Sequence, residues 1–209
     1  MRLFDRSLIV PNRLDAYYVF IHMYFPILPA PKSSPSIDRP LPGSGHKSKC
    51  RRLSTATDYE PSSPISLAIL AILALIPHPD DSEASSPESF LLRRESAQSF
   101  ALSTIESIEV ESELLDSSTS PSRALKNGSP AISRQPFHPQ VPPELESILA
   151  LLVLSIYEYA QRGNITKMRN RAGQALVSAM NMSLHSRGDE DDEFAEARRR
   201  AWWMTVSII

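Results

Sequence analysis

The chain predicts an all-α fold, an irregular helical domain with a central antiparallel helix hairpin and long disordered loops. Three observations lead there. Leu145, Ile148, Leu149, Leu152, Val153, Ile156, Tyr157 and Ala160 recur at the steps of one helix face, filled at every position. A second helical stripe, Met168, Ala172, Ala175, Leu176, Ala179 and Leu184, begins after only Gly163 and Asn164, a joint short enough to force an antiparallel pair. All 18 prolines lie at or before Pro143, 17 of them from Pro26 onward, so only the last third is free to run as continuous helix.

Taken in order, residues 1–12 show no usable period and form an unassigned N-terminal segment; the domain is expected over 13–209. A first helix over about 14–25 is aromatic-rich, with Tyr17, Phe20, Ile21, Tyr24 and Phe25 on one face and Pro26 ending it. A polar Pro/Gly/Ser insert over about 30–63 is too long for a tight connection and reads as disordered. The helix over about 65–76 is apolar all round and therefore buried. The next, over about 87–114, starts with Ser86 as N-cap and Pro87 in the first turn; Ala97, Ala101, Ile105 and Ile108 form its inner stripe. Glu106, Glu109, Glu111 and Glu113 are placed on its solvent face, where plain hydration explains them better than a metal site.

A second low-complexity insert follows over about 116–140, and Pro142 and Pro143 open the central helix over about 143–162. Leu151 and Leu154 fall outside its main stripe, so this helix should be central rather than peripheral. Gly163 stops it and Asn164 caps the helix over about 165–185, whose small inner residues, Ala172, Gly173, Ala175 and Ala179, let two backbones approach closely. The last helix is expected over about 190–206, with the carboxylates 189–193 at its positive end and Phe194, Ala197, Ala201, Trp202 and Thr205 inside.

Composition excludes several classes. The net charge of −2 gives no case for a chain that grips nucleic acid or an anionic membrane as a whole. The longest apolar run, residues 67–76, is half of the roughly 20 residues a membrane span needs, so no membrane role is expected. The N-terminus mixes charges into its apolar residues and lacks a cleavage site for secretion, so the Asn-x-Ser/Thr triplets at Asn127, Asn164 and Asn181 read as chance matches. Cys50, the single cysteine, fits a reducing compartment.

The sequence carries no recognisable catalytic pattern. Gly43-Ser44-Gly45 is a linker and not a phosphate loop, and neither a nucleophile elbow nor a zinc-protease motif occurs. His22, His46, His78, His138 and His185 lack ligand spacing, and His185 reads as a helix-end dipole partner. Cys50 lies in a basic loop with no base at hand. No catalytic, cofactor-binding or metal residue is therefore assigned, no small-molecule substrate is evident, and an enzyme is not expected. Residues 46–52 form a small basic patch, and Arg51-Arg52-Leu53-Ser54 offers Ser54 to a basic-directed kinase. Arg198, Arg199 and Arg200 are expected to pair with acidic neighbours or stack on aromatics, not to grip phosphates.

An ordered set of features resembles a known family. The set comprises a Leu-rich helix ending in Tyr157-Glu158-Tyr159, the Arg162-Gly163-Asn164 joint, a helix from Arg171-Ala172-Gly173 to Leu184-His185, and then Arg199-Arg200-Ala201-Trp202-Trp203. Together they resemble the middle homology region of fungal binuclear zinc-cluster transcription factors, in particular the xylanolytic-activator type of regulatory domain. Residues 14–29, closing on Phe25-Pro26-Ile27-Leu28, resemble its aromatic opening helix. The resemblance implies a nuclear, all-helical regulatory domain acting in DNA-templated transcription through protein contacts, with the transcription machinery or by self-association. It also implies zinc and DNA binding, through a separate module whose six cysteines hold two zinc ions; one cysteine cannot build that module, so no cofactor is assigned to this chain. The chain ends in Val206-Ser207-Ile208-Ile209 where the family continues with further helices, so it reads as a truncated fragment whose exposed apolar surface aggregates or binds a partner. The competing reading is a helical scaffold or adaptor unrelated to transcription.

Overall fold

A computed structural model describes residues 13–31, 34–35, 63–77, 83–118, 134–187 and 191–208. Seven helices occur among them: α1 (Arg13–Phe20), α2 (Pro64–Leu73), α3 (Pro87–Ser118), α4 (Pro143–Arg162), α5 (Ile165–Asn181), α6 (Leu184–Arg187) and α7 (Ala195–Ile208). The described residues contain no strand.

The fold is assembled around α4. Pro143 occupies its first turn, where a missing N–H costs nothing, and the Leu145 N–H closes the turn on the Pro142 carbonyl at 3.0 Å. Leu145, Ile148, Leu149, Leu151, Leu152, Val153 and Leu154 are all buried, so α4 is enclosed on nearly every side, as its excess of leucines requires. Only the end of the expected stripe departs, with Ile156 half-buried and Ala160 exposed. Gly163 ends the helix at φ 61°, and the N–H groups of Gly163 and Asn164 turn back to the carbonyls of Tyr159 and Glu158.

Asn164 then accepts the Lys167 N–H at 3.0 Å and starts α5, which returns along α4. Ala172, Ala175 and Ala179 are buried. Gly173 does not belong with them: a side chain placed there would meet nothing within 4 Å, so the close approach rests on the alanines. The helix also stops earlier than its period implies. Ser183 adopts a left-handed φ of 56°, and the kink turns the chain so that Leu184 opens α6 inside the core, 1% exposed.

On the opposite side, α2 inserts between α1, α3 and α4. Its residues from Pro64 to Ala71 are buried, as is Leu73, which the nearly all-apolar sequence demands. Ser63 caps it, and Ser86 caps α3 by accepting the Ser89 N–H at 3.1 Å. Helix α3 runs to Ser118, one turn beyond its expected end, because no proline or glycine falls among residues 114–118.

Two further boundaries differ from expectation. Helix α1 ends at Phe20, and residues 21–24 form turns instead of another helical turn. The Tyr17 hydroxyl donates to the Phe25 carbonyl at 2.9 Å and accepts the Leu28 N–H at 3.2 Å, folding the segment back over it. Tyr17, Ile21 and Phe25 thus point inward, whereas Phe20 and Tyr24 do not share their face and are 38% and 88% exposed. Helix α7 begins at Ala195, not in the acidic run. Asp192 precedes it and caps it, its carboxylate accepting the Phe194 N–H at 2.9 Å and its carbonyl the Ala195 N–H at 3.2 Å. Ala197, Ala201 and Thr205 are buried and Phe194 and Trp202 half-buried, as the inner face requires.

The unassigned segment 1–12, the basic patch 46–52 with Cys50 and His46, Ser54, Gly43, Gly45, His78 and Asn127 lie outside the described residues, as does most of the insert over 30–63. The insert over 116–140 is corrected at both ends. Residues 116–118 continue α3, and 134–140 are fixed by contacts that centre on Arg134.

Candidate functional site

A charged network lies buried beneath the start of α4. Glu146 follows the first leucine of that helix and is fully buried. One of its oxygens, Oε1, accepts the Phe137 N–H at 2.7 Å; the other accepts the Ser63 hydroxyl at 2.5 Å and the Arg134 Nη1. Arg134 Nε binds Glu111 Oε1 at 2.8 Å, and Ser147 donates its hydroxyl to Glu111 Oε2 at 2.7 Å. Glu111, expected on the solvent face of α3, is only 7% exposed, because it points toward Arg134 and Ser147 instead of water.

Two carboxylates therefore share one guanidinium away from solvent. Burial pulls Arg134 down, yet Glu111 and Glu146 more than offset this and hold it charged. Glu146 goes the other way. Burial pushes its carboxyl above the ordinary value, and the Ser63 hydroxyl, the Phe137 N–H and Arg134 only partly restore it. Among the described residues Arg134 Nη2 is buried without a hydrogen-bond partner. The network spends both serine hydroxyls on carboxylates. It joins four parts of the chain: the cap of α2, the end of α3, the 134–140 segment and α4.

A second polar cluster lies around α1. The Tyr18 hydroxyl donates to the Pro29 carbonyl at 2.5 Å and lies 3.2 Å from His138 Nε2. One hydroxyl proton cannot serve both, and His138 Nδ1 already accepts the Gln140 N–H at 3.1 Å, so Nε2 carries the imidazole proton. Burial pushes Tyr18 up to about 12 and Tyr17 higher still. Both phenols stay protonated at neutral pH and act as hydrogen-bonding spacers between α1, the turn after it and the 134–140 segment. His22 stacks edge-on against both tyrosines, and burial lowers its value further from protonation.

The arginine run sits where its acidic neighbours dictate. Arg198 Nη2 binds Asp192 at 2.6 Å, Arg199 and Arg200 both reach Glu196, at 3.3 and 2.6 Å, and Arg200 Nη1 also donates to the Pro26 carbonyl at 3.2 Å. Asp192 is held below the usual carboxylate value by the Arg198 hydrogen bond. For Glu196, burial pushes upward but Arg200 and Arg199 prevail, and its value lies low. The rings of Trp202 and the exposed His185 lie tilted against each other with centroids 5.7 Å apart, just past the α5–α6 kink.

Two of the cavities on the described surface adjoin the helices of the domain. One of about 130 Å³ lies between α3 and α4, lined by Arg94, Gln98, Tyr157, Gln161 and Arg162. The other, a groove of about 330 Å³, runs between the turn after α1 and α7, past Pro26, Glu196, Arg199, Arg200, Trp203 and Met204. Trp203, which lines it, is 63% exposed, and Met23 and Tyr24, in the turn before Pro26, are 83% and 88% exposed. Among the described residues no group of His, Cys, Asp and Glu could hold a metal ion, and no helix is long and apolar enough to cross a membrane.

Sequence reading missed Arg134, Ser63 and Glu146 as members of one network. A signal existed for Glu146: it stands four residues before Ala150 and seven before Val153, on a flank of α4 that is otherwise apolar.

Among the described residues the domain is all-helical and tied together by buried polar contacts. The family comparison gives this domain its identity. The model of the fungal specific transcription factor domain matches residues 14–208, and the chain belongs to this family, the middle homology region of fungal zinc-cluster transcription factors. The comparisons with curated proteins and with solved structures each find no match.

Proposed function

We propose that this chain acts in the nucleus as the regulatory region of a fungal transcription factor and works through protein contacts. DNA reading is assigned in this proposal to a separate zinc-cluster module, since the single cysteine of these 209 residues cannot supply its thiolates. The observation that carries the reading is a set of exposed large side chains in a domain of this family: Trp203 on the groove along α7, and Met23 and Tyr24 in the turn before Pro26, which lines the same groove. Exposed aromatic and Met side chains beside Arg200 are the residue types that anchor protein interfaces. Catalysis is not part of the proposal.

The test is a fusion of the chain to an unrelated DNA-binding module that controls a reporter gene. The fusion is expected to change transcription relative to the module alone and to enter the nucleus. Substituting Tyr24→Ser and Trp203→Ser together should remove at least half of that change while the melting temperature stays within a few degrees. A fusion to which the reporter is indifferent would overturn the proposal.

A further inference from the structure

The outer faces of α3 and α5 carry opposite charge. On α3, Glu95, Leu102, Glu106, Glu109, Val110 and Glu113 lie on one exposed stripe at helical spacing. No lysine or arginine interrupts it. Arg93 turns away to the Ser89 hydroxyl and the Ala84 carbonyl, and Arg94 lies over the Phe90 ring and lines the cavity against α4. Leu102 and Val110 on the stripe are 58% and 51% exposed.

Helix α5 is the complement. It contains Lys167, Arg169 and Arg171 and no carboxylate, and its cations occupy the half that also carries the positive end of the helix dipole. Its far half presents Val177 and Met180, 57% and 55% exposed. Thr166, Arg169, Asn170, Gly173, Val177 and Met180 make a second stripe, on the side away from α4. Gly173 lies in its middle with open space over it, leaving bare backbone for another helix to approach.

We propose that a second copy of this chain is the partner of these faces, with α3 of one copy lying antiparallel against α5 of the next. In that orientation the basic start of α5 meets Glu106, Glu109 and Glu113. Val177 and Met180, about 12–16 Å further along α5, then reach the level of Leu102, about 10 Å back from Glu109 on α3. Gly173 admits the α3 stripe between the charged and apolar halves. Helices α3 and α5 of one copy make no contact with each other, so the pairing is head-to-tail and leaves a free face on each outer copy. Association therefore grows with concentration into short chains or closes as a ring. A single helix-on-helix contact is at the small end of specific interfaces, under about 1,200 Å², so the assembly is reversible and weakens with salt.

The proposal rests on the protein-contact reading for its biological role, but sedimentation tests it apart from any reporter. The full chain is run at rising concentration in low and high salt. Its mean mass is expected to climb above that of a monomer at low salt and to fall back at high salt. Two charge-reversed chains, Glu106→Lys/Glu109→Lys/Glu113→Lys on α3 and Lys167→Glu/Arg169→Glu on α5, should each be monomeric alone. Their equimolar mixture should associate again, because each supplies the face the other now lacks. All these positions are exposed, so unchanged melting temperatures are expected. Gly173→Phe, which fills open space and not the core, should also abolish association without loss of stability. A wild-type chain that stays monomeric at every concentration overturns the proposal, as does its binding of duplex DNA through α5 while monomeric. Reversed chains that associate alone as wild type does, or a mixture that stays monomeric, overturn it too.

Discussion

On the side facing α5, α4 meets three buried alanines and its own leucines; on the side facing α2 and α3 it carries Glu146 into an ion network with Arg134 and Glu111. The two sides hold the same helix by different physics. Apolar packing is a sum of many small contacts and degrades in proportion to the atoms removed. A buried network of two carboxylates and one guanidinium depends above all on the shared cation, because removing it leaves both carboxylates charged and dry. The difference shows where the domain is tolerant of change and where a single residue joins segments far apart in sequence.

The largest effect should come from Arg134→Met. The cation disappears while Glu111 and Glu146 remain buried, and a loss of about 3–5 kcal/mol is expected in a denaturant titration. An effect below about 1 kcal/mol would erase the contrast between the two sides. On the apolar side, Ala175→Leu forces extra volume between α4 and α5 and should cost about 1–3 kcal/mol. If it is neutral, the helices do not pack as closely as the buried alanines imply. Gly163→Ala comes next. No atom lies within 4 Å of the added methyl, so only the left-handed backbone at φ 61° resists it, and the expected cost is about 1 kcal/mol in thermal unfolding.

The smallest effect at neutral pH is expected from Glu146→Gln, and its signature is a pH dependence. Burial raises the folded value of Glu146, so the folded state holds that proton more tightly than the unfolded chain does. Its stabilising contribution is complete below the ordinary carboxylate value and is lost as pH rises through the raised folded one. The melting temperature of wild type relative to Glu146→Gln should therefore fall across that window. A difference that stays flat with pH would show that Glu146 titrates as an ordinary carboxylate.

The apolar side was legible in the sequence and the polar side was not. The bounds of α4 follow from Pro143 and Gly163, and its central place follows from Leu151 and Leu154. Period alone misled where one atom overrides it. The Tyr17 hydroxyl shortens α1, the left-handed Ser183 divides the helix expected through 185, and Asp192 caps α7 from outside it. In the sequence Glu111 reads as hydrated, because a carboxylate on a mixed helix face usually is. Its partner, Arg134, stands 23 residues later in a Ser/Pro-rich stretch that offers no period at all. Ion pairs between distant segments leave no local trace, whereas packing stripes do. The charge separation between α3 and α5 is written in the residues, but which side of each helix faces out required the fold.

The claim that one buried network fastens α4 to three other segments is tested most directly by a double-mutant cycle between Arg134 and Glu146, using Arg134→Met, Glu146→Gln and the pair. The double variant is expected to be less destabilised than the sum of the singles, with a coupling of about 1–3 kcal/mol. Additive effects within about 0.3 kcal/mol would mean that the two side chains act independently, and would contradict the claim.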